Sequence, residues 1–297
     1  MPPEYVAMRR WMPLRCLVAA TALLAILDAN PGLAQPATLT PAQAQALVDR
    51  ALGNELKAAE DTSHRMRYEL RKTTPRLTAT KEIVETGDGE VARLIALDDQ
   101  ALSAADEQKE EARLSALASD PGRQRHRKQS EDADAARALK VLRALPRAFL
   151  YQYAGPVDTP AGTLQRFTFK PNPAFTPPDL ETEVLTAMSG EIRIDPASER
   201  VTHLEGHLDD DVDFGWGILG RLNKGGWIAI DQADVSGGEW RMVRFQMQMS
   251  GRVVFKSRVF DTTEEESHYA PVPAGLRYAQ AIAMLRGSDA GPDGIPR

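Results

Sequence analysis

Two periodicities of apolar residues divide the chain into helices and strands. After Thr40 and Pro41, apolar residues recur every three to four positions up to about Glu60. This spacing predicts a helix that Thr40 caps and that holds Pro41 in its first turn. In residues 64–73, apolar and charged side chains then alternate one by one, which predicts a strand with one buried face.

The same alternation continues through most of the chain. Residues 77–86 and 91–97 flank a Gly-Asp-Gly turn and extend the first strand into an antiparallel meander. Further strand candidates are 149–154, 163–170, 187–195, 199–209, 225–235, 239–250 and 252–263. Short strands with close turns favour an antiparallel sheet in which neighbours follow one another in sequence. The pattern therefore predicts an α+β fold that is mainly antiparallel β.

Residues 100–148 break the strand pattern. Ser103 and Asp106 form a capping pair ahead of strong helix formers, and Asp120-Pro121-Gly122 predicts a break. A second helix is predicted from about Ser130 to Leu145. We interpret the block as a charged helical insertion in one domain spanning 35–286, and its basic cluster (Arg123, Arg125, Arg127 and Lys128) as the turn between the helices.

The N-terminus has the layout of a secretory signal peptide. Arg9, Arg10 and Arg15 precede an apolar run at 16–27, which is too short to span a bilayer. A small residue, Ala34, stands before Gln35, so we expect residues 1–34 to be cleaved between these two. The mature chain is then predicted to be periplasmic or secreted.

Composition narrows the function classes. The 297 residues carry a net charge of −6, which disfavours nucleic acid as a partner. The single cysteine, Cys16, lies in the leader, so disulfides, thiol catalysis and cysteine-bound zinc are excluded for the mature form. After the leader, the sequence predicts no transmembrane segment, and residues 287–297 are predicted to be a disordered tail.

The candidates for chemistry are few. His203, Glu205 and His207 project from one face of the strand at 199–209, where imidazole and carboxylate groups are the ligands of a transition metal. The alternative is a solvent-facing polar set opposite Leu204 and Leu208. Residues 215–220 (GWGILG) match the dinucleotide fingerprint, but the next strand follows too soon for the required helix, so we interpret them as a loop. No nucleophile motif is present, and neither an enzyme nor a cofactor is predicted.

An apolar stripe is the stronger signal. One strand presents Val243, Phe245, Met247 and Met249 on one face, and the next presents Val253, Phe255 and Val259. Methionine suits surfaces that accept varied apolar ligands. The candidate wall of a ligand site consists of Trp227, Trp240, Val243, Phe245, Met247, Met249 and Phe255. Ordinary core packing is the alternative explanation of the same stripe.

One motif carries a family resemblance. The segment GEIRIDP at 190–196, followed by RVTHLE at 200–205, together with a leader, an N-terminal helix and a long meander, resembles periplasmic lipoprotein carriers of the LolA/LolB type. Relatives of these carriers include outer-membrane lipoprotein-sorting proteins and the sensor RseB. The chain is also similar to secreted bacterial proteins with a charged helical insertion and a segment like 210–225. The resemblance implies a curved open sheet, or incomplete β-barrel, with helices over an apolar cavity for acyl chains, and it transfers no site residue.

These observations lead to one hypothesis and two alternatives. We expect a soluble periplasmic binding or carrier protein for a lipid or another apolar ligand, such as the acyl chains of a lipoprotein, without catalysis. The first alternative is an envelope interaction or sensor module that contacts a protein partner through the insertion and an acidic edge at 264–266. The second is a metal-assisted hydrolase at His203, Glu205 and His207.

Overall fold

The computed structural model describes residues 38–214, 220–253 and 256–287. The helices are α1 (Pro41–Glu60), α2 (Ala104–Ala118), α3 (Pro121–Ala148), α4 (Leu180–Glu183, followed by a 3-10 turn at Val184–Ala187) and α5 (Tyr278–Gly287). The strands are β1 (Met66–Thr74), β2 (Leu77–Val84), β3 (Val91–Leu97), β4 (Gln100–Ala101), β5 (Phe149–Thr159), β6 (Gly162–Pro171), β7 (Met188–Asp195), β8 (Arg200–Leu208), β9 (Val212–Phe214), β10 (Gly220–Leu222), β11 (Trp227–Asp234), β12 (Trp240–Val253) and β13 (Lys256–Pro271). The predicted leader with its cut between Ala34 and Gln35, the loop at 215–219, Phe255 and the tail after residue 287 lie outside the described residues.

One antiparallel sheet contains all of these strands. Its order is β4-β3-β2-β1-β13-β12-β11-β8-β7-β6-β5, and β10 pairs with both β12 and β9. β5 and β4 end this order without pairing to each other, so the sheet is open rather than closed into a barrel. The predicted α+β class with an open antiparallel sheet is therefore confirmed. The N-terminal meander joins the remainder through β1 and the last strand, β13.

α1 forms where the sequence predicts it. The Thr40 hydroxyl accepts from the Gln43 N–H, and the Gln43 side chain accepts in return from the Thr40 N–H, which completes a capping box. The helix buries one stripe of apolar residues, and the members of that stripe are Ala44, Leu47, Val48, Ala51 and Leu52. This stripe fixes which face of α1 meets the sheet.

The two faces of the sheet carry separate cores. Residues directly opposite each other in neighbouring strands share a face, and Ile230 lies opposite both Leu204 and Phe245. We call this the inner face, and α1 and the end of α3 pack on it in the larger core. The opposite, outer face carries the second core around Val84 and Val91, which α2 and α5 cover.

α3 begins earlier than predicted. It starts at Pro121 rather than near Ser130, because the Asp120 side chain accepts from the Arg123 N–H at 2.9 Å and so caps the helix. Proline lacks the N–H that would be unpaired in a first helical turn, so Asp-Pro-Gly here starts a helix as well as ending one. The basic cluster consequently lies on the first turns of α3, and its placement in a loop was wrong.

The β12–β13 hairpin is longer than predicted. The sequence places a turn at Ser250-Gly251, but Gly251 lies within β12 and pairs with Arg258. A Cβ at this glycine would come within 2.3 Å of the Arg221 carbonyl oxygen, so the glycine serves the close approach of β10 rather than a turn. Val253 therefore belongs to β12 and not to the next strand.

The acidic run at 264–266 is not an edge. It lies within β13, where Lys72 of β1 contacts Glu264 at 2.6 Å and Arg71 contacts Glu265 at 2.9 Å. The alternative of an interaction or sensor module expected this run to be a free acidic edge for a protein partner. Glu264 and Glu265 instead form ion pairs with β1.

Glu266 is the member of this run whose protonation state changes near neutral pH. Burial, with Glu264 and Glu85 nearby, raises the pKa of Glu266 from 4.5 to about 7. The Tyr269 hydroxyl meets two acceptors, the Glu266 carboxyl group and the Met242 carbonyl oxygen, but has one proton to donate. A protonated Glu266 completes the network by donating to Tyr269, which then donates to Met242.

We expect the fold to gain stability as the pH falls through this range. Folded Glu266 binds a proton below about pH 7 and unfolded Glu266 only below about 4.5, so protonation of this one group raises the free energy of unfolding by up to about 2.5 kcal/mol from pH 8 to pH 5. Urea denaturation at the two pH values measures the gain. Glu266→Gln should remove this part of the pH dependence, whereas Glu265→Gln, at the neighbouring exposed ion pair, should keep it. An unchanged pH dependence in Glu266→Gln would refute the assignment.

Candidate ligand cavity

An apolar cavity of about 470 Å³ lies between the inner face of the sheet and two helices. Leu204, Ile228 and Ile230 line it from β8 and β11. Phe149, Phe169 and Met188 line it from β5, β6 and β7. Its volume lies within the range typical of small-ligand sites.

The helices cover the cavity with single faces. α1 contributes Leu52, Glu55 and Ala59, which are spaced by three and four residues. The last turns of α3 contribute Ala138, Val141, Leu142 and Leu145 at the same helical spacing. The end of the charged insertion is thus a wall of the cavity, a role that its highly charged first half conceals in the sequence.

The polar lining residues of the cavity, Glu55 and Gln232, contact each other. The Arg200 guanidinium donates to both carboxylate oxygens of Glu55 at 2.9 Å each, and the Val201 N–H donates to one of them at 2.9 Å. The Gln232 amide donates to Glu55 and to the Val201 carbonyl oxygen, at 3.1 Å each. Arg200 also lies 5.6 Å from the centre of the Trp240 ring, within range of a cation–π contact.

This network lies at one end of the cavity, where Gln232 is the last lining residue of β11. Glu55 is buried, and its charge is compensated by a bidentate arginine and two further N–H donors. Removing one partner of such a buried ion pair leaves the other charge uncompensated, and this strongly destabilises the folded protein. What remains open to a ligand is a surface of aliphatic and aromatic groups, which offers burial rather than hydrogen bonds.

The structure places the predicted apolar stripe beside the cavity rather than around it. Phe245 and Met247 lie on the inner face opposite Ile230 and Ile228. Met247 and the buried Met249 pack into the larger core. Val243 falls at the irregularity of register between β11 and β12. The lining of the cavity includes none of the predicted wall residues that the structure describes.

The two tryptophans lie apart from the stripe. Trp227 is on the outer face, where it pairs with His207 and its indole N–H donates to Gln248 at 3.1 Å. Trp240 is at the start of β12, beside Arg200. Trp227 is therefore separated from the cavity by the sheet, because a strand residue one position from Ile228 faces the other side.

The candidate metal ligands share the outer face as predicted, but each histidine lies within hydrogen-bonding distance of a carboxylate. His203 Nδ1 lies 2.7 Å from the Asp231 carboxylate, and His207 Nε2 lies 2.6 Å from the Glu205 carboxylate. The hydrogen bond from His207 lowers the pKa of Glu205 below its usual value. Among the described residues, no group of three or more histidine, cysteine, aspartate or glutamate side chains is placed to hold a metal ion.

Comparisons with known proteins find two similar solved structures but do not assign the chain to a family. No protein-family model and no curated protein sequence matches the chain. A structure described as an outer membrane lipoprotein-sorting protein domain from Vibrio parahaemolyticus is similar at 12% identity and a TM-score of 0.30, covering 80% of this chain and 99% of that one. A DUF1329 family protein from Desulfovibrio piger is similar at 10% identity and a TM-score of 0.29, covering 80% and 95%. At these values neither similarity bears on function.

None of the described helices combines the length and the apolar character needed to cross a membrane.

Proposed function

We propose that this chain is a periplasmic carrier that holds an acyl chain or a similar apolar ligand in the cavity beneath α1 and α3, without catalysis. The observation that carries the proposal is the cavity itself. Its lining is aliphatic or aromatic except at one end, where the polar groups are already hydrogen-bonded to one another. Such a surface binds by removing apolar area from water, at about 25 cal/mol per Å².

The proposal favours a slender, chain-like ligand. The cavity is lined by half-buried aliphatic side chains from both the sheet and the helices. They include Val141, Leu142, Leu204 and Ile228. The polar end presents a carboxylate that is already neutralised by Arg200, so a ligand gains little by placing an ionised group there. Tail-first entry of an acyl chain satisfies both conditions.

Affinity is expected to depend on chain length up to a limit. Each methylene that enters the cavity contributes about 0.8 kcal/mol, or about a fourfold gain in affinity, until the cavity is full. Displacement of a fluorescent fatty acid by monoacylglycerols of increasing chain length measures this dependence. A rise followed by a plateau supports the proposal. No saturable probe binding, or affinity that does not change with chain length, contradicts it.

A further inference from the structure

The end of the β12–β13 hairpin exposes large apolar side chains together with cations. Every residue from Lys256 to Asp261 is exposed, whereas the next five residues of β13, 262–266, are half-buried. We use the name hairpin end for the described residues 249–253 and 256–261. On the β12 side it is held to the body of the sheet by the short strand β10, at residues 251–253.

Two large apolar side chains are exposed at consecutive positions of the hairpin end. Val259 is 74% exposed and Phe260 is 39% exposed. The other exposed large apolar residues of the described chain, Leu77, Leu150 and Leu180, lie far apart in sequence. Val259 pairs with Ser250 and Phe260 with Met249, so the two side chains leave opposite faces of the hairpin.

Cations accompany this apolar pair. Arg252, Lys256 and Arg258 are exposed and form no ion pair within the described part of the chain. The neighbouring Arg221 contacts both Asp211 and Asp213, which leaves one negative charge in excess there, and Arg252 adds to the lowering of the pKa of Asp213. Asp261 is the one carboxylate of the hairpin end. A local excess of positive charge thus stands on a chain whose net charge is −6.

We propose that the hairpin end docks onto an anionic lipid surface. Apolar side chains exposed together with unpaired cations match the boundary between acyl chains and phosphate headgroups. Each basic residue near such a surface strengthens binding by about fivefold, while the acidic remainder of the chain is screened beyond about 10 Å. This docking is independent of the cavity and goes beyond the carrier function, because it supplies a place where cargo meets a bilayer.

Vesicle co-sedimentation tests the proposal with the full mature chain. We expect binding to vesicles that contain phosphatidylglycerol, a weakening with added salt, and at least about tenfold weaker binding to phosphatidylcholine alone. Absence of binding to the anionic vesicles, or equal binding to both kinds, would overturn the proposal. Acyl-chain displacement measured on the same sample distinguishes this failure from a failure of the carrier function.

Variants separate the hairpin end from general stickiness. Val259→Ser with Phe260→Ser should weaken binding by about tenfold, and Arg252, Lys256 and Arg258 changed together to Gln by about a hundredfold. Leu77→Ser with Leu150→Ser removes comparably exposed apolar residues elsewhere and should leave binding unchanged. All these side chains are exposed, so thermal melting should match the wild type. Equal losses in the hairpin-end and control variants would reject the docking surface.

Discussion

Replacing Glu55 with alanine is expected to lower the free energy of unfolding by about 3–5 kcal/mol, the largest effect of any single change considered for stability. The substitution leaves the largely buried Arg200 side chain, 13% exposed, without its bidentate partner, and it removes an acceptor for the Val201 N–H and the Gln232 amide. These losses fall where α1 meets β8 and β11. Urea denaturation, followed by circular dichroism, measures the change.

Glu199→Ala provides the matched control. Glu199 also joins α1 to this part of the sheet, through a 2.7 Å contact with Arg50, but the Arg50 side chain is 52% exposed and that of Glu199 is 33% exposed. Solvent screening limits such a pair to about 0–1 kcal/mol. A double variant, Glu55→Met with Arg200→Met, should recover much of the loss, because the cost lies in the unpaired buried charge. Equal effects of Glu55→Ala and Glu199→Ala would contradict this account.

Filling the cavity is expected to abolish acyl-chain binding. Ile230→Trp places a larger side chain on the sheet wall of the cavity, and the displaced ligand methylenes correspond to at least about a hundredfold loss of affinity. Leu142→Trp fills the same space from α3 and should give the same result. Probe titration measures the loss, and a melting curve checks that each variant is folded.

Phe245→Trp is the control for this prediction. Phe245 lies directly opposite Ile230 on the same face of the sheet but does not line the cavity. We expect its replacement to change affinity by no more than about twofold, because the half-buried Phe245 side chain lies outside the lining of the cavity. If Phe245→Trp abolished binding and Ile230→Trp did not, the ligand would lie against the β12 stripe instead.

Local patterns predicted the long elements because each carries its own signal. α1 combines a cap, a first-turn proline and an apolar stripe, and all of these are local. β9 and β10 were not predicted, because a strand of three residues is too short to show the alternation of apolar and polar side chains. The start of α3 was misplaced because the same Asp-Pro-Gly letters suit both a break and a cap.

The cavity was beyond local patterns for a different reason. Its walls come from α1, α3 and strands that are distant in sequence, so no single segment shows the set. The apolar stripe of β12 is more regular than any cavity wall, yet the half-buried positions on β8 and β11 line the space. The pairing of β1 with β13 likewise joins two segments far apart in sequence, so the pattern of neither strand alone predicts it.

Photo-crosslinking tests the central claim most directly, that an acyl chain occupies the space beneath α1 and α3. A fatty acid with a diazirine on its chain is bound to the mature protein, irradiated, and located by peptide mass spectrometry. The account predicts saturable labelling on the peptides that contain Leu52, Leu142 and Ile230, which unlabelled fatty acid suppresses. Labelling confined to the outer face around Trp227, or labelling that does not saturate, would contradict it.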